Sequence, residues 1–117
     1  YMHSIWFDLQ LDKKITREEV EERFWSNPRV AVTHKKSANL IFSFGRDHGH
    51  YGRILNQTVA VLPTLHVRNE KEVIGFCFTP QDGNSLLSSI AATEWFLYPD
   101  DYKERLRCLG PFLLQEV

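Results

Sequence analysis

Five histidines, two cysteines and a glycine-rich stretch with two arginines are the parts of this sequence whose types and spacing could do chemistry. His48-x-His50 offers two imidazoles for a metal, but no third ligand follows at a suitable spacing. The pair therefore reads as solvated turn residues, and no metal site is expected. His66 alternates with Leu65 and Val67 and should face the surface. His34 sits beside Lys35 and Lys36, as a loop residue would. His3 differs by position, because it stands at the mouth of the first strand, where a side chain can reach a cleft.

Neither cysteine reads as an activated nucleophile. Cys77 lies between Phe76 and Phe78 and is expected to be a buried structural thiol. Cys108 falls in the last turn of the final helix with no evident base beside it. Ser85, Ser88 and Ser89 gather around a helix start, where capping explains them, and no Gly-x-Ser-x-Gly elbow is present. The stretch Gly45 to Gly52 holds three glycines in eight residues, the mark of a loop with unusual backbone angles or close approach. Its spacing is not that of a dinucleotide fingerprint, and it follows a helix rather than a strand. Arg46 and Arg53 flank it and are the candidates for holding a substrate anion; a solvated basic pair is the plainer reading. Asn56-Gln57-Thr58 fits the glycosylation pattern but lies in an expected strand of a chain with no secretion signal, so it is discounted.

The elements that must position these residues are legible from periodicity. Ile5, Phe7, Leu9 and Leu11 alternate, which predicts a half-buried strand over residues 4–11. Thr16 with Glu19 forms a capping box, and Ile15 with Val20 stands at hydrophobic-staple positions. A helix should run from Arg17 to Trp25, burying Val20 and Phe24, until Asn27-Pro28 stops it. Val30 to Val32 makes a short buried strand. A second helix starts after Ser37 and carries Leu40, Ile41 and Phe44, and the glycine stretch from Gly45 ends it. Strand signals follow over 54–62, 65–67 and 72–78, the last two joined by a hairpin connection at Arg68 to Lys71. Thr79 to Asn84 reads as a turn. Ser85 begins a helix with Leu86, Leu87, Ile90, Ala91 and Trp95, and a final helix runs from Pro99 to Gly110-Pro111.

The order is β-α-β-α-β-β-β-α-α. It predicts an α+β fold with a mixed, mostly antiparallel sheet covered on one face by helices. The 117 residues make one domain, and their eight Phe, four Tyr and three Trp argue against disorder. A net charge of −1 excludes the basic excess that nucleic-acid or membrane-surface binding wants. No apolar run reaches the roughly 20 residues of a membrane span, and no signal peptide opens the chain. Two cysteines are too few for a disulfide framework. A cytoplasmic protein with no nucleic-acid or membrane partner is the expectation.

The order of these signals resembles the C-terminal catalytic part of the archaeal-type (type II) glyceraldehyde-3-phosphate dehydrogenases. The carrying segments are Met2-His3-Ser4-Ile5, then Asp12-Lys13-Lys14-Ile15-Thr16-Arg17-Glu18-Glu19-Val20, then Asn27-Pro28-Arg29-Val30. Ser37-Ala38-Asn39-Leu40 leading to Gly45-Arg46-Asp47 is similar to a family helix, and Gln81-Asp82-Gly83-Asn84 to a turn before the late helix. The resemblance implies an NAD(P)-dependent oxidoreductase acting on glyceraldehyde 3-phosphate, with a related phosphorylating aldehyde dehydrogenase, acting on aspartate semialdehyde or another phosphorylated aldehyde, as the neighbouring alternative; in the family a cysteine attacks the aldehyde, hydride passes to NAD or NADP, and phosphate attacks the thioester. It implies His3 as the base on that thiol and Asn84 as a holder of the nicotinamide amide. It also implies a nucleotide-binding domain on the N-terminal side as partner, a homo-oligomer, and an apolar surface left for those partners.

The departures from the family pattern are specific. The family's nucleophilic cysteine and the arginines expected to hold substrate phosphate lie upstream of this segment. A family histidine before the Gln-Glu turn has no counterpart in Cys77-Phe78-Thr79-Pro80-Gln81-Asp82. The isolated chain should therefore be inactive. The alternative from another class is a non-enzymatic ligand- or metal-binding interaction domain, with the glycine stretch and its histidines as the site.

Overall fold

A computed structural model describes residues 2–117. The chain runs β1 (Met2–Gln10), α1 (Arg17–Ser26), β2 (Val30–Thr33), α2 (Ala38–His48), β3 (Thr58–Val61), a short 3-10 turn (Leu62–Thr64), β4 (His66–Arg68), β5 (Glu72–Pro80), α3 (Gln81–Leu97), α4 (Tyr102–Arg105) and a closing 3-10 helix (Leu106–Phe112). Five strands form one sheet in the order β1-β5-β3-β2, with β4 also on β5. β5 is its spine. It pairs antiparallel with β1 along its whole length, from Met2↔Pro80 to Gln10↔Glu72. Its other side takes β3 and β4 in turn, again antiparallel. Only β2 and β3 are parallel, as the crossover through α2 requires. The class is the expected one, α+β with a mixed, mostly antiparallel sheet.

Successive strand residues point to opposite faces, yet Ala31 and Val32 are both fully buried. Both faces of β2 therefore need cover, and helical cover is not confined to the one face expected. On one face α2 brings Ile41, with Ala38 and Phe44 beside it, onto Ala31, Val59, Val61 and Phe78. On the other, α1 brings Val20, Phe24 and Trp25 onto Val32, Leu62, Leu65 and Val73. The capping box that starts α1 is formed as read: the Glu19 N–H donates to Thr16 Oγ1 and the Thr16 N–H to Glu19 Oε2 at 2.8 Å. Arg17 fastens this helix to the 3-10 turn by donating to the carbonyls of Leu62 and Leu65.

Several boundaries differ from the sequence expectation. α2 does not stop at Gly45 but continues to His48, because Gly45 is buried inside it and leaves room for Ile54. α3 starts at Gln81 rather than Ser85, so the expected turn is its first turn. Gly110-Pro111 does not end the last helical stretch, which loosens to 3-10 geometry at Leu106 and runs to Phe112. β1 alternates as expected but is less buried: Phe7 and Leu11 pack on the core beneath α1, while Ile5 and Leu9 stay 41% and 48% exposed. Beyond the closing helix, the chain returns to the sheet. Glu116 bridges Val32 in parallel, and the Val32 N–H donates to the Gln115 carbonyl at 3.0 Å. Among the described residues, no helix is long and apolar enough to cross a membrane.

Candidate functional site

One corner of the sheet gathers several of the residues singled out from the sequence. β1 begins there, β5 ends there with Pro80 opposite Met2, and α3 starts at the next residue. The segment after α2 passes the same corner. Between these elements lies a cleft of about 310 Å³, lined by Met2, Phe42, Gly45, Arg53, Pro80 and Asp82, among others. Small residues let the elements around it approach one another closely. A Cβ on Gly83 would stand 2.3 Å from the Asn56 carbonyl oxygen, so only glycine lets α3 begin this close to the chain beneath it. Gly49, at the end of α2, is equally constrained, since a Cβ there would stand 2.1 Å from the Arg53 carbonyl oxygen.

Of the residues singled out from the sequence, Arg53 lines the cleft. Its Nε donates to Asp82 Oδ2 at 2.6 Å, and Nη1 donates to the Gly52 carbonyl at 3.0 Å. Arg46 stands in the last turn of α2 and does not line the cleft. Its guanidinium grips its neighbour, Nε to Asp47 Oδ1 at 2.7 Å and Nη2 to Oδ2 at 3.0 Å. That bond raises the Arg46 pKa and holds the Asp47 carboxyl below the usual carboxylate range. Each candidate cation thus has its own carboxylate, and an incoming anion must compete with it.

His3 is at the same corner but on the other face of β1. Met2 turns toward the cleft, and strand alternation sends His3 away from it, opposite Thr79 and diagonal to Cys77. Cys77 is half-buried rather than buried, and it stands opposite the exposed Ile5. Asn84 is exposed in the first turns of α3, where its Oδ1 accepts from the Ser88 hydroxyl at 3.4 Å. Ser88 in turn accepts from Gln57 Nε2 at 2.7 Å. The corner therefore brings His3, Arg46, Arg53 and Asn84 near one end of the sheet without placing them around one cavity.

The remaining motifs have structural partners. His48 and His50 pack on different aromatic rings, Phe44 at 4.8 Å and Phe112 at 5.2 Å between centroids. Among the described residues, no group of three or more His, Cys, Asp or Glu is placed to hold a metal. His66 is exposed, as its alternation suggested. Asn56, of the glycosylation-like triplet, is fully buried and bonded to Pro28 and Leu114, so it is a structural residue. Sequence reasoning missed Asp82 as the partner of Arg53, because the pair spans 29 positions and no local pattern encodes it.

No protein-family model matches the chain, and no curated protein matches it.

Proposed function

We propose that this chain is the C-terminal catalytic segment of an NAD(P)-dependent dehydrogenase that oxidises a phosphorylated aldehyde, similar to the archaeal-type glyceraldehyde-3-phosphate dehydrogenases and working in the cytoplasm. The observation that carries the reading is the convergence at one sheet corner. Segments far apart in sequence bring Arg53 to the cleft and Arg46 and Asn84 to the same end of the sheet, with His3 there on the opposite face of β1. Further support comes from the element order and from uncovered apolar surface. Trp95, Phe96 and Leu97, at the end of α3, are 57%, 78% and 58% exposed, as a segment that packs on a further domain would leave them.

The proposed roles follow from chemistry. His3, exposed on its face, takes the proton of a thiol supplied from outside this segment, which makes the thiolate that attacks the aldehyde. Arg53, once it exchanges Asp82 for the substrate, contacts the phosphate as a charge-assisted pair beside the arginines that the resemblance places upstream, and Arg46 can join it only on release from Asp47. Asn84 fits a nicotinamide carboxamide, because it is exposed and its side-chain NH2 has no hydrogen bond among the described residues. When bound, NAD(P) accepts the hydride.

The test is the coding sequence upstream of Tyr1 and an assay of the polypeptide it encodes. Support would be a Gly-x-Gly-x-x-Gly turn after a strand, a cysteine-bearing segment, and NAD(P)-dependent oxidation of glyceraldehyde 3-phosphate. Turnover by residues 1–117 alone would overturn the reading, since they hold no complete machinery for it. So would an upstream sequence with no nucleotide-binding unit.

A further inference from the structure

β1 is an edge strand, and the two ends of the sheet are treated differently. At the β2 edge the chain covers its own backbone with residues 115–117, through Val32↔Glu116 and the Val117 N–H to the Val32 carbonyl at 2.9 Å. At the β1 edge nothing in the described residues does so. Nine residues lie there in unbroken register with β5, without a bulge. The strand lacks the usual protection of edges, holding no lysine, arginine or proline, and Asp8 is its one formal charge. Ile5, Trp6 and Leu9 are 41%, 57% and 48% exposed on it.

Hydrogen-bond phase decides which backbone groups are open. Leu11 donates its N–H to the Lys71 carbonyl at 2.8 Å, continuing the β1–β5 register. Residues two apart share a direction in an antiparallel strand, so Leu9, Phe7, Ile5 and His3 also spend their backbone groups on β5. Met2, Ser4, Trp6, Asp8 and Gln10 then point theirs outward. Five evenly spaced open residues with Trp6 at the centre are self-complementary. A second copy related by a two-fold axis at Trp6 pairs Trp6 with Trp6, Ser4 with Asp8 and Met2 with Gln10. All five open residues then lie in hydrogen-bonded pairs, giving about ten inter-chain bonds.

The side chains agree with that register. Asp8 meets a serine hydroxyl rather than another carboxylate. On one face Ile5 meets Phe7 and Leu9 meets His3. On the other, Trp6 already stands opposite Phe76, which is 44% exposed. The pairing extends this to an aromatic row Phe76–Trp6–Trp6–Phe76 across the axis. We propose that two copies of this chain associate through antiparallel pairing of their β1 strands about Trp6, joining two five-stranded sheets into one. The proposal does not rest on the function proposed above.

The test is sedimentation velocity on residues 1–117 over a wide range of concentration, with two charge variants at the axis. Trp6→Lys and Trp6→Glu each set like charges face to face, and the site is exposed enough to accept either. The wild-type chain should dimerise, and each variant alone should weaken the dimer by at least about tenfold, the effect of roughly 1.4 kcal/mol. An equimolar mixture of the two should restore it. Should either variant lose its native near-ultraviolet circular dichroism, Trp6→Cys in a Cys77→Ser, Cys108→Ser background decides instead. It should form a disulfide-linked dimer on mild oxidation, whereas Leu9→Cys in that background should not, and equal behaviour of the two would overturn the proposal. A wild-type chain that stays monomeric overturns it. So does a dimer that survives both charge variants, which would place the contact elsewhere, such as the exposed end of α3.

Discussion

Asn56 holds both polar groups of Leu114. Its Nδ2 donates to the Leu114 carbonyl at 2.8 Å, and its Oδ1 accepts the Leu114 N–H at 3.0 Å. The same Nδ2 reaches the Pro28 carbonyl at 3.2 Å. One buried amide thus ties the closing segment to the turn before β2, and helps place the residues that cover the β2 edge. Asn56→Ala removes these partners together and leaves buried groups unpaired, at about 1–3 kcal/mol each. A loss of about 3 kcal/mol and a fall in Tm on the order of 10 °C are expected in thermal unfolding. A change of only a degree or two would show that the clamp contributes little.

Gly83 decides a sign. Glycine inside a helix is ordinarily worse than alanine by about 1 kcal/mol, so Gly83→Ala should stabilise on propensity alone. Here a Cβ would stand 2.3 Å from the Asn56 carbonyl oxygen and 2.6 Å from that of Ile54. Both neighbours are backbone and cannot swing away. Gly83→Ala is therefore expected to destabilise by a net of about 1–3 kcal/mol, measured by urea denaturation.

The Arg53–Asp82 pair is exposed, its side chains 53% and 61% accessible, so it adds at most about 1 kcal/mol to stability. On the proposed function, Asp82 competes with an incoming anion for Arg53. Asp82→Asn should leave Tm nearly unchanged while strengthening inorganic phosphate binding, followed by NMR shifts of the residues lining the cleft. Arg53→Ala should abolish that binding. Equal phosphate affinity in wild type, Asp82→Asn and Arg53→Ala would remove Arg53 from the site.

Glu72 is buried at the far end of the sheet and paired with Arg68, whose Nη2 donates to Glu72 Oε1 at 2.6 Å. The Arg68 guanidinium holds the Glu72 carboxyl below its ordinary value. A native pKa below the unfolded one means that this stabilisation is present at neutral pH. It is lost as pH falls from the ordinary glutamate pKa, about 4.3, through the lowered native value. Glu72→Gln should flatten the acid limb of a stability-against-pH profile over that window. An unchanged acid limb would contradict the pairing.

The fold was legible where local physics decides it. Thr16 and Glu19 announce α1, and the alternation of β1 is real. What was not legible depends on distant partners. Gly83 reads as a turn former until the Ile54 and Asn56 carbonyls beneath it are seen, and that hid the first turn of α3. Gly45 likewise reads as a helix stop because Ile54, its reason for being small, lies nine residues on. The exposure of Ile5 and Leu9, on the same face of β1 as the packed Phe7 and Leu11, is not encoded in the alternation. For the site, strand parity puts His3 and the cleft on opposite faces. Arg53 could be picked out as a flanking cation, but its carboxylate partner could not.

The central claim is that this chain supplies the base and anion-binding side of an aldehyde dehydrogenase. The most direct measurement is the steady-state rate of reduced-nicotinamide formation from glyceraldehyde 3-phosphate by the full polypeptide carrying this segment, compared with its His3→Asn variant. A general base contributes about 10²–10⁴-fold, so kcat/KM should fall by that factor in the variant, with thermal stability retained. Unchanged kcat/KM in His3→Asn, or no such activity in the full polypeptide, would contradict the account.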